Sequence, residues 1–249
     1  MDLSGKTALV TGSAKRLGQQ LALELASHGV SVVIHYLSSR TNAMDMVDSL
    51  KDMGVKAMAL KADLSDTQQA GALVPRALEL TGSLDLLVNN ASIFDPIPFP
   101  ETSLDQWNRH LAINLTAPFI LCKSFSELKP SESHRANYQR AILNMLDWRA
   151  LRPTSSAFAY TISKAGLVAM TKSLAQTLAP DIRVNALALG PVIPSSWEGP
   201  EYSSELIEKI PAARQATLGE VRDSAMFLLA GPQFITGEVL HLDGGRNLV

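Results

Sequence analysis

Short apolar runs rich in β-branched residues recur along the chain, each bounded by glycine, proline or small polar residues. Seven of them, Lys6–Gly12, Val30–Tyr36, Val55–Asp63, Leu84–Ser92, Arg140–Asp147, Ile182–Gly190 and Gly237–Gly245, are apolar at successive positions rather than at alternate ones. A strand of that kind is buried on both faces. Between the early runs lie longer segments whose apolar residues return every three or four positions: Leu17–Gly29, Thr41–Gly54 and Thr67–Gly82. Each closes on a glycine, as helices commonly do. The alternation predicts right-handed βαβ units and an α/β, doubly wound Rossmann fold with a seven-stranded parallel sheet covered by helices on both faces. In such a sheet ligands bind beyond the carboxyl ends of the strands. The stretch Pro191–Glu205 is rich in Pro, Gly and Ser and reads as a mobile loop, extending to about residue 210, near a substrate site.

Composition narrows this picture. The 249 residues carry 46% hydrophobic positions and show no break in composition, so a single domain spanning 1–249 is expected. With a formal net charge of −2 and the two signs interspersed, there is no basic stripe for nucleic acid. The lone cysteine, Cys122, sits in an apolar stretch and reads as a buried, inert thiol. The start of the chain lacks the basic segment and cleavage site of a signal peptide, and no apolar run approaches a membrane span, so the expected setting is cytoplasmic. Nothing is assigned to a metal.

Two places carry chemistry. After the first strand comes Thr11-Gly12-Ser13-Ala14-Lys15-Arg16-Leu17-Gly18, a glycine turn opening a helix, where backbone N–H groups and the helix N-terminus face a pyrophosphate. The second strand ends in His35-Tyr36-Leu37-Ser38-Ser39-Arg40, and no acid occurs between Glu24 and Asp45. An NAD site usually puts a carboxylate there for the ribose hydroxyls. Arg16, Ser38, Ser39 and Arg40 instead offer donors suited to a 2′-phosphate, which favours NADP(H). Farther along, Tyr160 and Lys164 are four residues apart in the helical segment Ser155–Leu178 and share a face. An ammonium beside a phenol stabilises the phenolate, which makes Tyr160 a general acid. Asn89-Asn90-Ala91-Ser92 and Asn114 complete a specific set.

On these motifs the chain resembles the short-chain dehydrogenase/reductase family from Lys6 to Gly245. The resemblance implies hydride transfer at the strand ends, with Asn114 supporting a water linked to Lys164 and Lys164 holding the nicotinamide ribose. It places Asp63 and Leu64 near the adenine, and Gly12, Leu17, Gly18, His35, Asn90, Ala91, Ser92, Gly190 and Val192 along the cofactor. It also implies a homotetramer paired through the helices holding Asn114 and Tyr160 and through the last strand. The usual Pro-Gly order after the sixth strand appears here as Leu189-Gly190-Pro191.

Two departures matter more. The middle glycine of the turn is Arg16, and the family's serine thirteen positions before the tyrosine is Asp147. A carboxylate repels the charge developing on a ketone oxygen but accepts hydrogen bonds from a ring N–H. With TGSAKRLG, HY, NNASIF and NMLD all present, the chain is similar to the pteridine reductase branch, including dihydromonapterin and dihydrofolate reductases of short-chain type. That resemblance implies Phe94 stacking on a pterin, Ser92 and Arg16 at its polar edge and the cofactor phosphates, Asp147 with Tyr160 handling the proton, and Trp197 covering the site. Reduction of a non-pterin ketone or imine and a non-catalytic NADP(H)-binding role are the other readings.

Overall fold

The computed structural model describes residues 2–128, 140–195, 197, 199 and 201–249; Ser196, Glu198 and Pro200 of the expected loop lie outside them. All seven expected strands are present: β1 Thr7–Val10, β2 Ser31–Tyr36, β3 Ala57–Lys61, β4 Leu86–Asn89, β5 Arg140–Asp147, β6 Ile182–Leu189 and β7 Val239–Leu242. They pair in parallel in the order β3-β2-β1-β4-β5-β6-β7. The order reverses between β1 and β4, which opens a crevice at their carboxyl ends.

Continuous apolar strands serve two layers because successive side chains point to opposite faces. Ala8, Val10, Val32, Ile34, Leu86 and Val88 pack with Leu21 and Leu25 of α1 (Arg16–Ser27), Val47 and Leu50 of α2 (Arg40–Asp52) and Leu228 of α8 (Leu218–Ala230). Their alternates Leu9, Val33, Leu87 and Ile142 meet Leu73 and Val74 of α3 (Thr67–Thr81) and Leu121 and Phe125 of α5 (Ala117–Ser126) on the other face. A third cluster joins β5 to β7 with Leu167 of α6 (Phe158–Leu178). Each fully buried leucine here contributes about 1.5–3 kcal/mol.

The helix ends explain their boundaries. Asp66 caps α3 by accepting from the N–H groups of Gln68 and Gln69, and Gly82, at φ 77°, ends it with its N–H on the Leu78 carbonyl. Two helices that hydrophobic spacing alone leaves unmarked, α4 (Leu104–Leu111) and α8, each begin with a capping box, Ser103 with Gln106 and Thr217 with Glu220. The expected loop holds a further short helix, α7 (Ser204–Glu208). Buried arginines at the starts of β5 and β6 close two helix C-termini: Arg140 donates to the Phe125 carbonyl at 2.8 Å, and Arg183 to those of Leu228 and Leu229 at 2.9 and 2.6 Å. No helix among the described residues is long and apolar enough to cross a membrane. Cys122 is buried, accepts from Asn89, and has its thiol pushed up to about 12 by desolvation.

Candidate active site

A cavity of about 610 Å³ runs across the carboxyl ends of the central strands, from the glycine turn to Tyr160. At the turn, Thr11 accepts from the N–H groups of Asn90 and Ala91, both at 2.9 Å, and the Asn90 amide donates to the Thr11 carbonyl at 2.8 Å. β1 and β4 are thereby stitched together at the point where their connections diverge. His35 braces the turn from β2. Its Nε2 faces the Ala62 carbonyl at 3.1 Å, which can only accept, so the proton sits there and Nδ1 is left to accept from the Gly12 N–H at 3.0 Å. Desolvation holds this imidazole below its ordinary pKa, in keeping with the neutral tautomer. A Cβ on Gly18 would collide with the Gly12 carbonyl oxygen and stand 2.8 Å from Ser13 Cα, so only glycine lets the helix start this close to the turn.

Gly12, Arg16, Leu17, Gly18, His35 and Asp63 line this end, as do Leu64, Asn90 and Ala91. Lys15 and Leu37 line it too, whereas Ser38, Ser39 and Arg40 follow Leu37 into α2 outside the lining. The Asp63 carboxylate accepts from the Ser65 hydroxyl at 2.7 Å and N–H at 2.9 Å, which holds it below the usual carboxylate range. Arg16 has φ 55°, an unusual backbone for a side chain with a Cβ, and its guanidinium donates across the cavity to the Pro194 carbonyl at 2.7 Å and that of Ile193 at 3.3 Å.

The other end is charged and dry. Tyr160 and Lys164, 7% and 3% exposed, sit one turn apart on α6. The Lys164 ammonium donates to the Met145 carbonyl at 2.8 Å and lies 5.9 Å from the Tyr160 ring centre. Burial depresses its pKa to about 8, against the opposing pull of Asp147. Asp147 ends β5, where its Oδ2 accepts from the Tyr160 hydroxyl at 3.3 Å. Its Oδ1 accepts from the Arg149 backbone N–H at 2.8 Å, and the Arg149 guanidinium stands 3.2 Å from Oδ2. Desolvation nevertheless raises the carboxyl's pKa, with Arg149 and Lys164 pulling it the other way. The Phe94 ring meets Tyr160 edge-on, 4.9 Å between centres at 88°. Arg149 packs over both Phe94 and Trp148.

Ser92, Phe94, Asp147, Tyr160, Lys164, Gly190 and Val192 all line the cavity. Asn114 does not. It occupies a π-helical turn between α4 and α5, accepts from the Ile93 N–H at 2.9 Å and the Ser92 hydroxyl at 3.1 Å, and donates to the Ile93 carbonyl and the Ser163 hydroxyl. Its side chain fixes the wall behind Ser92 and Phe94. Trp197 is 61% exposed and outside the lining. The residues that sequence reasoning missed are Lys15, Arg149, Tyr202 and Arg246. Two of them had a local signal: Lys15 lies inside the glycine turn, and Arg149 is a cation two positions after the acid. No group of three or more His, Cys, Asp or Glu among the described residues could hold a metal ion.

The family profile described as Enoyl-(Acyl carrier protein) reductase matches residues 12–247. The chain belongs to the short-chain dehydrogenase/reductase family. This oxidoreductase is 32% identical to glucose 1-dehydrogenase 2 of Bacillus subtilis over 99% of its own length and 96% of that protein's. It is 29% identical to the 3-oxoacyl-[acyl-carrier-protein] reductase FabG of Staphylococcus aureus, over 98% of each. Among solved structures, FolM alternative dihydrofolate reductase 1 from Brucella canis, complexed with NADP, is 32% identical and superposes with a TM-score of 0.89 over 100% of this chain and 97% of that one. The Brucella suis protein, also with NADP, is 33% identical with a TM-score of 0.88, covering 98% and 96%.

Proposed function

We propose that this family member is an NADPH-dependent reductase of oxidised pterins, such as a dihydropterin, dihydromonapterin or dihydrofolate. The observation that carries the reading is the Asp147 carboxylate, 3.3 Å from the Tyr160 hydroxyl at the end of the cavity. The donor set suits a phosphorylated dinucleotide: the end of β2 has no carboxylate, and Lys15 and Arg16 line the cavity beside the glycine turn. Ser38, Ser39 and Arg40 would reach the 2′-phosphate from the start of α2, and Lys164 would hold the nicotinamide ribose. Bound there, NADPH supplies the hydride.

The chain's own groups then manage the proton. Asp147 accepts hydrogen bonds from the N–H groups of a pterin ring, and the Tyr160 hydroxyl donates its proton to the ring nitrogen that must receive one. The Lys164 ammonium stabilises the resulting phenolate. Phe94, beside Tyr160, presents an apolar ring to a flat heterocycle. Ser92 and Arg16 would meet the polar edge, and Trp197 would close over the site from the loop after β6. The likeness to the two Brucella dihydrofolate reductases bound to NADP supports the same assignment. Phe119 on α5 and Ile162 on α6, 51% and 39% exposed, support pairing of copies through those helices into a homotetramer.

The glucose dehydrogenase and FabG relatives favour a second reading, reduction of a carbonyl substrate. Purified protein mixed with NADPH and each of dihydrobiopterin, dihydromonapterin and dihydrofolate decides between them. Loss of NADPH absorbance with a pterin supports the proposal. All three pterins left unreduced, with turnover on a ketone, overturns it.

A further inference from the structure

The cavity continues past Asp147 to Trp148, Thr154 and Arg246. A second cavity of about 580 Å³ adjoins it, and Trp148, Thr154 and Arg246 line both. Its wall includes the buried Trp148 indole, which two cations approach: Arg149 stands 4.9 Å and Arg246 4.8 Å from the ring centre. Arg152 and Lys209 complete its charged rim. One acid, Glu208, shares that rim, yet no Asp or Glu side chain lies within salt-bridge distance of Arg152, Lys209 or Arg246 among the described residues. Arg246 is held in place by the Lys209 carbonyl at 3.2 Å and lies 3.5 Å from an oxygen of Val249. A chain with net charge −2 has thus gathered three cations against one acid around a recess beside its reaction centre, none of the three in a side-chain salt bridge among the described residues.

We propose that this recess holds the carboxylate tail of the substrate whose ring occupies the main cavity, with Arg152, Lys209 and Arg246 as its recognition groups. The inference rests on the pterin reading and narrows it, because it selects a pterin with an aryl arm ending in carboxylates, as in dihydrofolate, over pterins with short hydroxylated side chains. The guanidinium forks of Arg152 and Arg246 and the Lys209 ammonium suit carboxylates, and Pro153 and Pro211 add apolar wall for the arm that carries them. Burial lowers the basicity of Arg246 most, and the neighbouring Arg152 and Arg149 lower it further. An anion in the recess would oppose the mutual repulsion of these cations.

The test compares dihydrofolate with dihydrobiopterin, both with NADPH, in the wild type and in the double variant Arg152→Ala, Lys209→Ala, whose residues are exposed at the rim. The preference for dihydrofolate, as a ratio of kcat/KM values, should fall about tenfold through KM, and Arg152→Lys with Lys209→Arg should restore most of it. The fragment p-aminobenzoylglutamate should compete with dihydrofolate in the wild type, while inorganic phosphate at equal concentration should not. An unchanged ratio, or a wild type that reduces dihydrobiopterin but not dihydrofolate, overturns the tail site and leaves the pterin reading standing. Equal competition by phosphate overturns the carboxylate assignment. A wild type that reduces neither pterin brings down both readings.

Discussion

The two ends of the cavity are built by different physics. At the nucleotide end the groups that set the shape are backbone amides, a threonine hydroxyl and a neutral histidine, each hydrogen-bonded to another part of the frame. At the chemical end, Asp147 and Lys164 are chargeable groups kept mostly from water beside the Arg149 guanidinium, and each of the two shifts the other's protonation. The first end is a rigid mould. The second is a proton store, so substitutions at the first should change binding and those at the second should change turnover.

The sharpest way to break that contrast is Tyr160→Phe. Its turnover should fall about 10²–10⁴-fold while NADPH affinity, followed by fluorescence titration, stays the same. A matching loss of NADPH affinity would make Tyr160 part of the mould. Next in size, Asp147→Ser should lower kcat/KM for a dihydropterin about 10²-fold and raise it for ketones, since a hydroxyl replaces an anion beside the developing charge. A uniform loss on both substrate classes counts against a specificity role. On the other side of the comparison, Gly18→Ala pushes a methyl into the Gly12 carbonyl, so it should cost about 1–3 kcal/mol in a denaturant melt and weaken NADPH binding, with kcat at saturation little changed.

Two pH effects are smaller: both make stability rise with pH, while their effects on function run in opposite directions. Lys164 has a folded pKa of about 8, below that of a free lysine, so the folded state loses its proton first. The destabilisation from burying the ammonium is therefore fully present below about 8 and is relieved as pH rises past that value. Turnover should fall over the same range as the ammonium is lost, and a Lys164→Met variant should show neither limb in paired rate and melting profiles. For His35 the folded pKa is also lowered, so below about 6.5 the unfolded chain takes up a proton that the native imidazole resists, and stability drops as pH falls. NADPH affinity should decline a few-fold on that acid side, and His35→Gln should flatten the decline.

The mould was the more legible end in the sequence. Strand-turn-helix order and the missing acid after β2 are local patterns, and all seven strands announced themselves because burial on both faces demands unbroken apolar runs. Helices α4 and α8 were harder, since their apolar spacing is weak, although Ser103 to Gln106 and Thr217 to Glu220 were readable as caps. The chemical end was legible in Asp147, Tyr160 and Lys164 and, through the resemblance, in Ser92 and Phe94. Arg246 comes from beyond β7, a hundred residues from Asp147, and only the closure of the sheet brings it to the cavity. Asn114 was found as a motif, but its work as a wall tie follows from a π turn, which reflects packing around an extra residue and leaves no pattern in the chain.

The Arg16 contact links the two banks of the crevice. One bank is the turn after β1 and the other is the segment after β6, and a single guanidinium spans them like a hasp. Its backbone sits in a region where glycine would be at ease, so the bridge is bought with local strain that the rest of the turn must hold. A dinucleotide that slides between those banks must undo this clasp or thread beneath it. Either way, the turn after β1 and the Ile193–Pro194 segment answer to the same arginine.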